Sequence, residues 1–291
     1  MRITETMLNT TIIKSINESK AYLGKIQQIL STGKIINKPS DNPLLISRAL
    51  DLKGRLRNIE QYQKNLNLAS IWINSTLQAF TGIGELLNNA KMIALRESNA
   101  TSTPDSQRIS AEEVDNLKKK LLNIANTYSG GRYIFSGTKT RTPSFTETGA
   151  YQGDEREINI QIGERQIITI NAPGNKVFKQ DKDLFKVLSD LKDALENNNT
   201  QGISKQIDEI EACMRQIHRW EGEFGGKAHW IEIFENRLKD QEIEITKFLS
   251  NTEDADITKV SVELQSASMA YQAALAAASK ILQATMLQFF Q

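Results

Sequence analysis

The sequence has little of what most enzymes and disulfide-stabilised proteins use. Its 291 residues include one cysteine, Cys213, and two histidines, His218 and His229. A single thiol excludes a disulfide within the chain and a cysteine-based zinc site. The histidines are eleven residues apart, with no cysteine or acidic partner at ligand spacing, which is more typical of surface or interhelical side chains. The sequence therefore predicts no metal, no cofactor and no enzymatic activity.

Motifs with a known chemistry are also missing. The sequence has no phosphate-binding glycine loop, no dinucleotide-binding fingerprint, no zinc-protease motif and no EF-hand loop. Cys213 lies on a predicted helix beside Met214, as expected of a packed thiol. The acidic residues of the run 253–256 could suggest a divalent ion, but acids before an apolar periodic segment are more typical of a helix start. Trp220 and Trp230 could anchor a partner or pack within the chain.

Charge and apolar content limit the partners and the shape of the chain. The formal net charge is +1, hydrophobic residues make up 39% and aromatic residues 7%. A nearly neutral chain has no overall attraction for nucleic acid or acidic lipid. Globular chains contain about 45–50% apolar residues when glycine is counted, so the apolar supply is thin for one large core. The composition favours an elongated or assembling protein that binds no nucleic acid.

Neither end of the sequence predicts membrane insertion or a cleaved signal peptide. Residues 1–20 lack an unbroken apolar core and a small-residue cleavage site. The last 28 residues carry one charge, Lys280, but glutamine and serine recur along them. A lysine near the centre of a bilayer costs about 2.5–3.5 kcal/mol. We therefore expect no membrane-spanning helix here.

Apolar residues recur in alternating three- and four-residue steps over most of the chain, which is the spacing of one face of an α-helix. The pattern predicts a first helix that stops at Gly33 and a long helix with Asn42 as its cap and Pro43 as its first residue. A further helix is predicted to start after Thr103. The longest run, 203–249, keeps its spacing through two adjacent glycines.

In the middle of the chain the apolar period changes to that of strands. Gly130–Gly131 ends the helical pattern, and residues 158–162 alternate between apolar and polar. A short polar turn leads from them to 167–170, which predicts a β-hairpin. Pro173–Gly174 predicts a further turn, and a shorter helix is expected over 183–196.

These patterns predict a mainly α fold with a long, coiled-coil-like helical rod formed by both chain ends and a small β-rich insert. A helix of about 48 residues is about 70 Å long, too long for a compact chain of this size. The expected division is a terminal helix in 1–36 that pairs with one in 257–291, a rod of 44–130 plus 183–250, and the insert 131–182.

The last predicted helix is rich in alanine and serine and has apolar residues outside its main stripe. A helix that is apolar on several sides is buried on several sides, so we expect neighbouring molecules to cover it. The residues expected at this assembly interface are Ile16, Leu23, Ile26, Leu30, Val260, Leu264, Tyr271, Leu275, Ile281 and Leu282.

Four stretches of the sequence carry a resemblance to a known family. They are Asn37–Pro43 with Ser47–Leu50, Ile59–Asn65, Gly131–Gly137 with Tyr151–Asp154, and Glu253–Asp256 with Ala270–Leu275. In this order they resemble the flagellin family, and the match spans essentially the whole chain. The sequence departs from the family pattern at Gly225–Trp230 and at its extreme end, Met286–Gln291.

The resemblance implies a structural subunit of the bacterial flagellum whose two terminal helices form the inner tube of the assembly. The insert motifs are closer to family members that join hook and filament than to filament flagellin. Such subunits leave the cell unfolded through the flagellar export channel, without a cleaved signal. The implied partners are other hook-associated proteins, flagellin, further copies in a homo-oligomeric ring and an export chaperone on the C-terminal region. The implied location is extracellular.

Two other functions remain open from the sequence. The chain could be a minor flagellin that builds the filament, although the short insert favours the junction. It could also be a cytoplasmic coiled-coil adaptor, although that role does not explain a C-terminal helix with almost no charge. In the flagellar interpretation the segments Thr10–Leu30 and 257–289 are expected to order mainly on assembly, because they bury too little apolar area to offset chain entropy.

Overall fold

The structure, a computed structural model, describes residues 5–99 and 103–289, with side chains for residue 7, for 10–99 and for 103–280. Within this part of the chain the fold is mainly α-helical with a small strand-containing insert, which confirms the predicted fold class. In chain order the elements are α1 (Glu5–Thr32), α2 (Pro43–Glu97), α3 (Pro104–Ala125), β1 (Tyr128–Ser129), β2 (Arg132–Tyr133), β3 (Asn159–Gly163), β4 (Gln166–Thr169), α4 (Gly174–Lys179), α5 (Leu184–Glu196), α6 (Thr200–Glu253) and α7 (Ile257–Phe289).

The predicted helix starts are confirmed by their capping hydrogen bonds. The Asn42 side chain accepts from the Leu45 amide at 3.2 Å, and α2 begins with proline at the next residue. Thr103 caps α3 in the same way through the Ser106 amide, at 3.3 Å. Asp256 accepts from the second and third amides that follow it, at 3.0 and 3.1 Å. The acidic run before α7 therefore contains a helix cap, as the sequence pattern favoured.

The long apolar pattern of the C-terminal half forms one helix. α6 has 54 residues and continues through Gly225 and Gly226, where glycine costs about 1 kcal/mol per residue relative to alanine. The helix survives because its stripe is buried on both sides of the glycines, at Phe224 and Ile231. Packing of an apolar face outweighs the local propensity.

The residues divide into two compact units. One holds the residues up to 58 and those from 241 on, and the other holds 59–240. In the first unit α1 packs against α7. In the second unit α3 packs against α5, and Asp115 on α3 accepts from Lys119 and Lys192 at 2.8 and 3.0 Å. Hydrogen bonds from these two lysines lower the pKa of Asp115 to about 2.

The core of the 59–240 unit is aromatic. Its phenylalanines come from α2, α4, α5, α6 and the insert, with ring centroids 5.2–6.0 Å apart between neighbours. Such separations suit tilted and edge-to-face ring pairs. The members of this cluster are Phe80, Phe135, Phe145, Phe178, Phe185 and Phe224.

The insert region contains the predicted hairpin together with a second small sheet and a short helix that the sequence did not predict. β3 and β4 pair antiparallel, with Ile160 opposite Ile168, and β1 and β2 form a second two-stranded sheet. The prediction of a turn at Pro173–Gly174 was wrong, since the two residues start the short helix α4. The Gly174 amide donates to the Phe135 carbonyl at 2.7 Å, so a tertiary contact fixes this backbone.

Candidate assembly interface

The two terminal helices share a small apolar cluster. Its buried members are Ile26 on α1 and Val260 and Ala267 on α7. Partly buried residues pack around them, and these are Leu23, Ile29, Leu30, Ala255 and Leu264. The two predicted seams therefore meet each other within one chain.

The residues predicted for the assembly interface divide into three groups. Five of them, Leu23, Ile26, Leu30, Val260 and Leu264, lie in the cluster between α1 and α7. Ile16 and Tyr271 are half-buried, and Leu275 is 43% exposed. Ile281 and Leu282 lie outside the residues whose side chains are described. The sequence pattern thus identified mostly the face that the two helices turn toward each other.

Another set of apolar residues on α1 and α7 lies outside this cluster and is exposed. The residues of this set, called the outer face below, are Met7, Ile13, Tyr22, Val262 and Met269, each at least half exposed. A partial signal was present in the sequence, because Met269 lies off the main stripe of the last helix. Single exposed apolar residues are normal, but five large ones on two paired helices leave apolar area that neighbouring subunits could cover.

The segments that lead into and out of the terminal helices run antiparallel to each other. The Ile35 amide donates to the Glu253 carbonyl, and the Ala255 amide donates to the Gly33 carbonyl, each at 2.8 Å. Lys34 and Asp254 form the bridge between these two bonds. Gly33 has φ = +70°, which ends α1 and turns the chain into this pairing.

The side chain of Glu253 also links these two antiparallel segments, which are called the crossing below. One carboxylate oxygen is 2.5 Å from the Lys34 ammonium and the other is 2.5 Å from the Lys53 ammonium, while the glutamate side chain is only 9% exposed. Burial alone raises the pKa of this carboxyl, but the hydrogen bonds from the two lysines outweigh burial and hold the pKa below its usual value. The bond to Glu253 raises the pKa of Lys34.

In the other unit the two insert motifs of the resemblance lie against each other. The Asp154 amide donates to the Ser136 carbonyl at 3.1 Å, and its carboxylate accepts from the amide and hydroxyl of Thr138 at 2.7 and 2.5 Å. The Tyr151 hydroxyl lies 2.7 Å from the Asp154 carbonyl and 3.1 Å from that of Phe135. The two motifs, although separated in the sequence, therefore pack together as one hydrogen-bonded unit.

The side chains first considered for chemistry have structural positions. Cys213 is fully buried, and this burial raises the pKa of its thiol to about 12. His218 and His229 are exposed and lie beside Glu221 and Glu232 on α6. In the described part of the chain no cluster of three or more metal-ligating side chains occurs. Nor is any helix in that part both long and apolar enough to cross a membrane.

Comparison with known proteins identifies the class to which this fold belongs. Residues 3–140 match the family described as the bacterial flagellin N-terminal helical region. The match covers just under half of the 291 residues, and over this part the chain is similar to the flagellin family.

Within that family the similarity is to hook-associated proteins. The chain is 31% identical over 180 residues to flagellar hook-associated protein 3 of Escherichia coli, covering 61% of this chain and 57% of that protein. It is 25% identical to the Salmonella typhimurium protein of the same name, covering 89% and 90%. The fold matches the flagellar junction protein FlgL of Legionella pneumophila, with a TM-score of 0.61, 14% identity and coverage of 72% and 100%. Flagellins are among the other similar proteins. These comparisons support a structural role at the hook–filament junction.

Proposed function

We propose that this chain joins the flagellar hook to the filament, and that it does so by stacking its paired terminal helices against those of neighbouring subunits. The observation that carries the proposal is the outer face, which leaves large apolar side chains of α1 and α7 exposed in the single subunit. Full burial of one such side chain stabilises by about 1.5–3 kcal/mol. Five of them supply a substantial driving force for assembly.

The same helices bury little within one chain. In the described part of α1 only Ile26 is buried, and in that of α7 only Val260, Ala267 and Ala278 are. Ordering a residue costs about 1–2 kcal/mol of backbone entropy. We infer that the terminal segments gain much of their order on assembly, and that the division into terminal helices (1–36 and 257–291), rod (44–130 plus 183–250) and insert (131–182) reflects this difference in stability.

The same proposal implies specific partners. The outer face would meet copies of this chain in a ring, with other hook-associated proteins on one side and flagellin on the other. An export chaperone would cover the C-terminal region before assembly, and the chain would leave the cell unfolded without a cleaved signal. The role is structural and involves no catalysis.

Hydrogen exchange of the free subunit should show a gradient along the terminal helices. Amides of 26–32 and 257–267 are expected to exchange at least about tenfold more slowly than those of 10–20 and 270–280. The slower amides lie beside the buried cluster and the antiparallel segments, which hold this end of the helix pair together. Amides of 203–249 should be the most protected. Mass-spectrometric exchange measures all of these segments together. If the amides of 10–20 and 270–280 were as protected as those of 203–249, the proposal that the terminal helices order on assembly would be contradicted.

Substitution on the outer face tests the junction role. The double change Val262→Gln and Met269→Gln should reduce attached filaments on cells at least about tenfold, because glutamine on these exposed positions removes apolar burial only in the assembly. Filaments are counted by electron microscopy and motility is scored on soft agar. The matched control, Ile167→Gln, alters an equally exposed apolar residue on β4 and should leave motility unchanged.

The outcomes separate the candidate functions. Normal attachment by the double variant, or by a chain that lacks 264–291, would refute assembly through α7. Purified wild-type chain that lengthens filament seeds without flagellin would instead support a filament-building flagellin.

A further inference from the structure

We propose that Glu253, Lys34 and Lys53 form a latch that holds the base of the terminal helix pair closed in the free subunit. The latch anchors α1 and α7 to each other at one end. The turns at the other end become ordered when neighbouring subunits pack against them. It is a property of the single chain and does not depend on which flagellar surface the subunit joins.

The latch connects segments that are far apart in sequence. Lys34 follows α1, Lys53 lies on α2, and Glu253 is the last residue of α6. The lysines are 219 and 200 residues from the glutamate along the chain. One side chain therefore fixes the exit of the first terminal helix, the start of the second helix and the entry to the last helix at once.

The geometry makes the three groups mutually dependent. Both oxygens of the buried carboxylate are used, whereas each lysine is 40% exposed. Ammonium–carboxylate hydrogen bonds are stronger than neutral ones, and a buried carboxylate that loses its partners is costly. When the latch opens, water can hydrate the exposed lysine ammonium groups where they are. The buried carboxylate must move before water can hydrate it. Opening therefore requires the two antiparallel segments to separate.

Separation of these segments would release the apolar cluster. Ala255, whose amide bonds to Gly33, is itself a partly buried member of the cluster. Ile26 and Val260 lie about two turns and one turn beyond the crossing. Without the latch, the contacts that the structure describes at the base of the pair are two backbone hydrogen bonds and a small core. The terminal helices would then lose their order together.

The charges around the latch set its dependence on pH. Lys34 also faces Asp254, and Lys25 on α1 is 3.9 Å from Asp41 on the α1–α2 connection. Protonated Glu253 would leave Lys34 with the charge of Asp254. Since the folded-state pKa of Glu253 is lowered, its stabilisation is complete above the ordinary glutamate pKa of about 4.3. The stabilisation is lost as the pH falls below that value through the folded-state pKa.

Hydrogen exchange of the free full-length subunit tests the latch. In Glu253→Gln, amides of 26–36 and 255–267 should exchange about tenfold faster than in wild type at pH 7, while 203–238 keeps its protection. Glu60→Gln is the matched control, because Glu60 also pairs with a lysine but on the exposed surface of α2. It should exchange like wild type. Unchanged protection in Glu253→Gln, or no protection of these amides in wild type, would overturn the proposal.

A second variant keeps the test decisive if Glu253→Gln unfolds. Lys53→Met retains the aliphatic stem and leaves Glu253 with Lys34, so it should lose part of the same protection. In the double variant the loss should not exceed that of Glu253→Gln alone. Additive losses would show that Lys53 acts elsewhere. Wild type should also lose this protection below about pH 4.3 after correction for intrinsic rates, whereas a fall with the same midpoint in Glu253→Gln would contradict the role of this carboxylate.

Discussion

Gly137→Ala should lower the free energy of unfolding of the 59–240 unit by about 3 kcal/mol, as expected for strain at a special backbone position. Gly137 has φ = +65°, a conformation that costs other L-residues about 1–2 kcal/mol. In addition, a Cβ at this position would overlap the carbonyl oxygen and the carboxylate of Asp154. Asp154 cannot move away cheaply, because its bonds to Ser136 and Thr138 join the two insert motifs.

Gly130→Ala provides a matched control for this prediction. Gly130 has φ = +57°, but among the described residues, apart from Gly130 and its two chain neighbours, no atom lies within 4 Å of a Cβ added there. The control should therefore lose only the conformational part, about 1–2 kcal/mol. Urea unfolding followed by tryptophan fluorescence measures both, since Trp72, Trp220 and Trp230 all belong to this unit. Equal losses in the two variants would mean that the contact with Asp154 adds nothing.

Local sequence signals predicted the helices well. Asn42, Thr103 and Asp256 each act as the cap that the pattern indicated, because a capping bond involves only residues two or three positions apart. α4 was missed for the opposite reason. Its first residue is held by the Phe135 carbonyl, and no local pattern at Pro173–Gly174 reports a contact made 39 residues away.

The candidate interface was only partly predictable. Helical spacing located the stripe that contains Ile26 and Val260, but a stripe alone does not tell whether its partner is in the same chain or in a neighbour. The structure places this stripe inside the subunit and leaves other residues, such as Ile13 and Val262, outside. The two lysines that pair with Glu253 could not be predicted from the sequence, because charge pairing across 200 residues depends on the path of the chain.

Phe135→Ala is expected to have the largest effect on stability of any single change considered, because this side chain joins two parts of the aromatic core. Its ring is fully buried and lies 6.0 Å from Phe80 on α2 and 5.3 Å from Phe178 on α4. Removing a buried phenylalanine side chain costs about 3–5 kcal/mol. The upper part of this range is expected, since each aromatic pair adds about 0.5–1.5 kcal/mol beyond burial.

Tyr128→Ala is the control for an aromatic residue at the surface. Tyr128 is 60% exposed and has a ring contact with Tyr133 at 5.1 Å, so its loss should cost less than about 1 kcal/mol. Phe135→Ala keeps the backbone carbonyl that accepts from the Gly174 amide, so its loss of stability reports removal of the ring. A domain is stable by only about 5–15 kcal/mol. Loss of the ring would consequently leave little stability in the 59–240 unit, whereas equal stability of the two variants would contradict an aromatic core centred on Phe135.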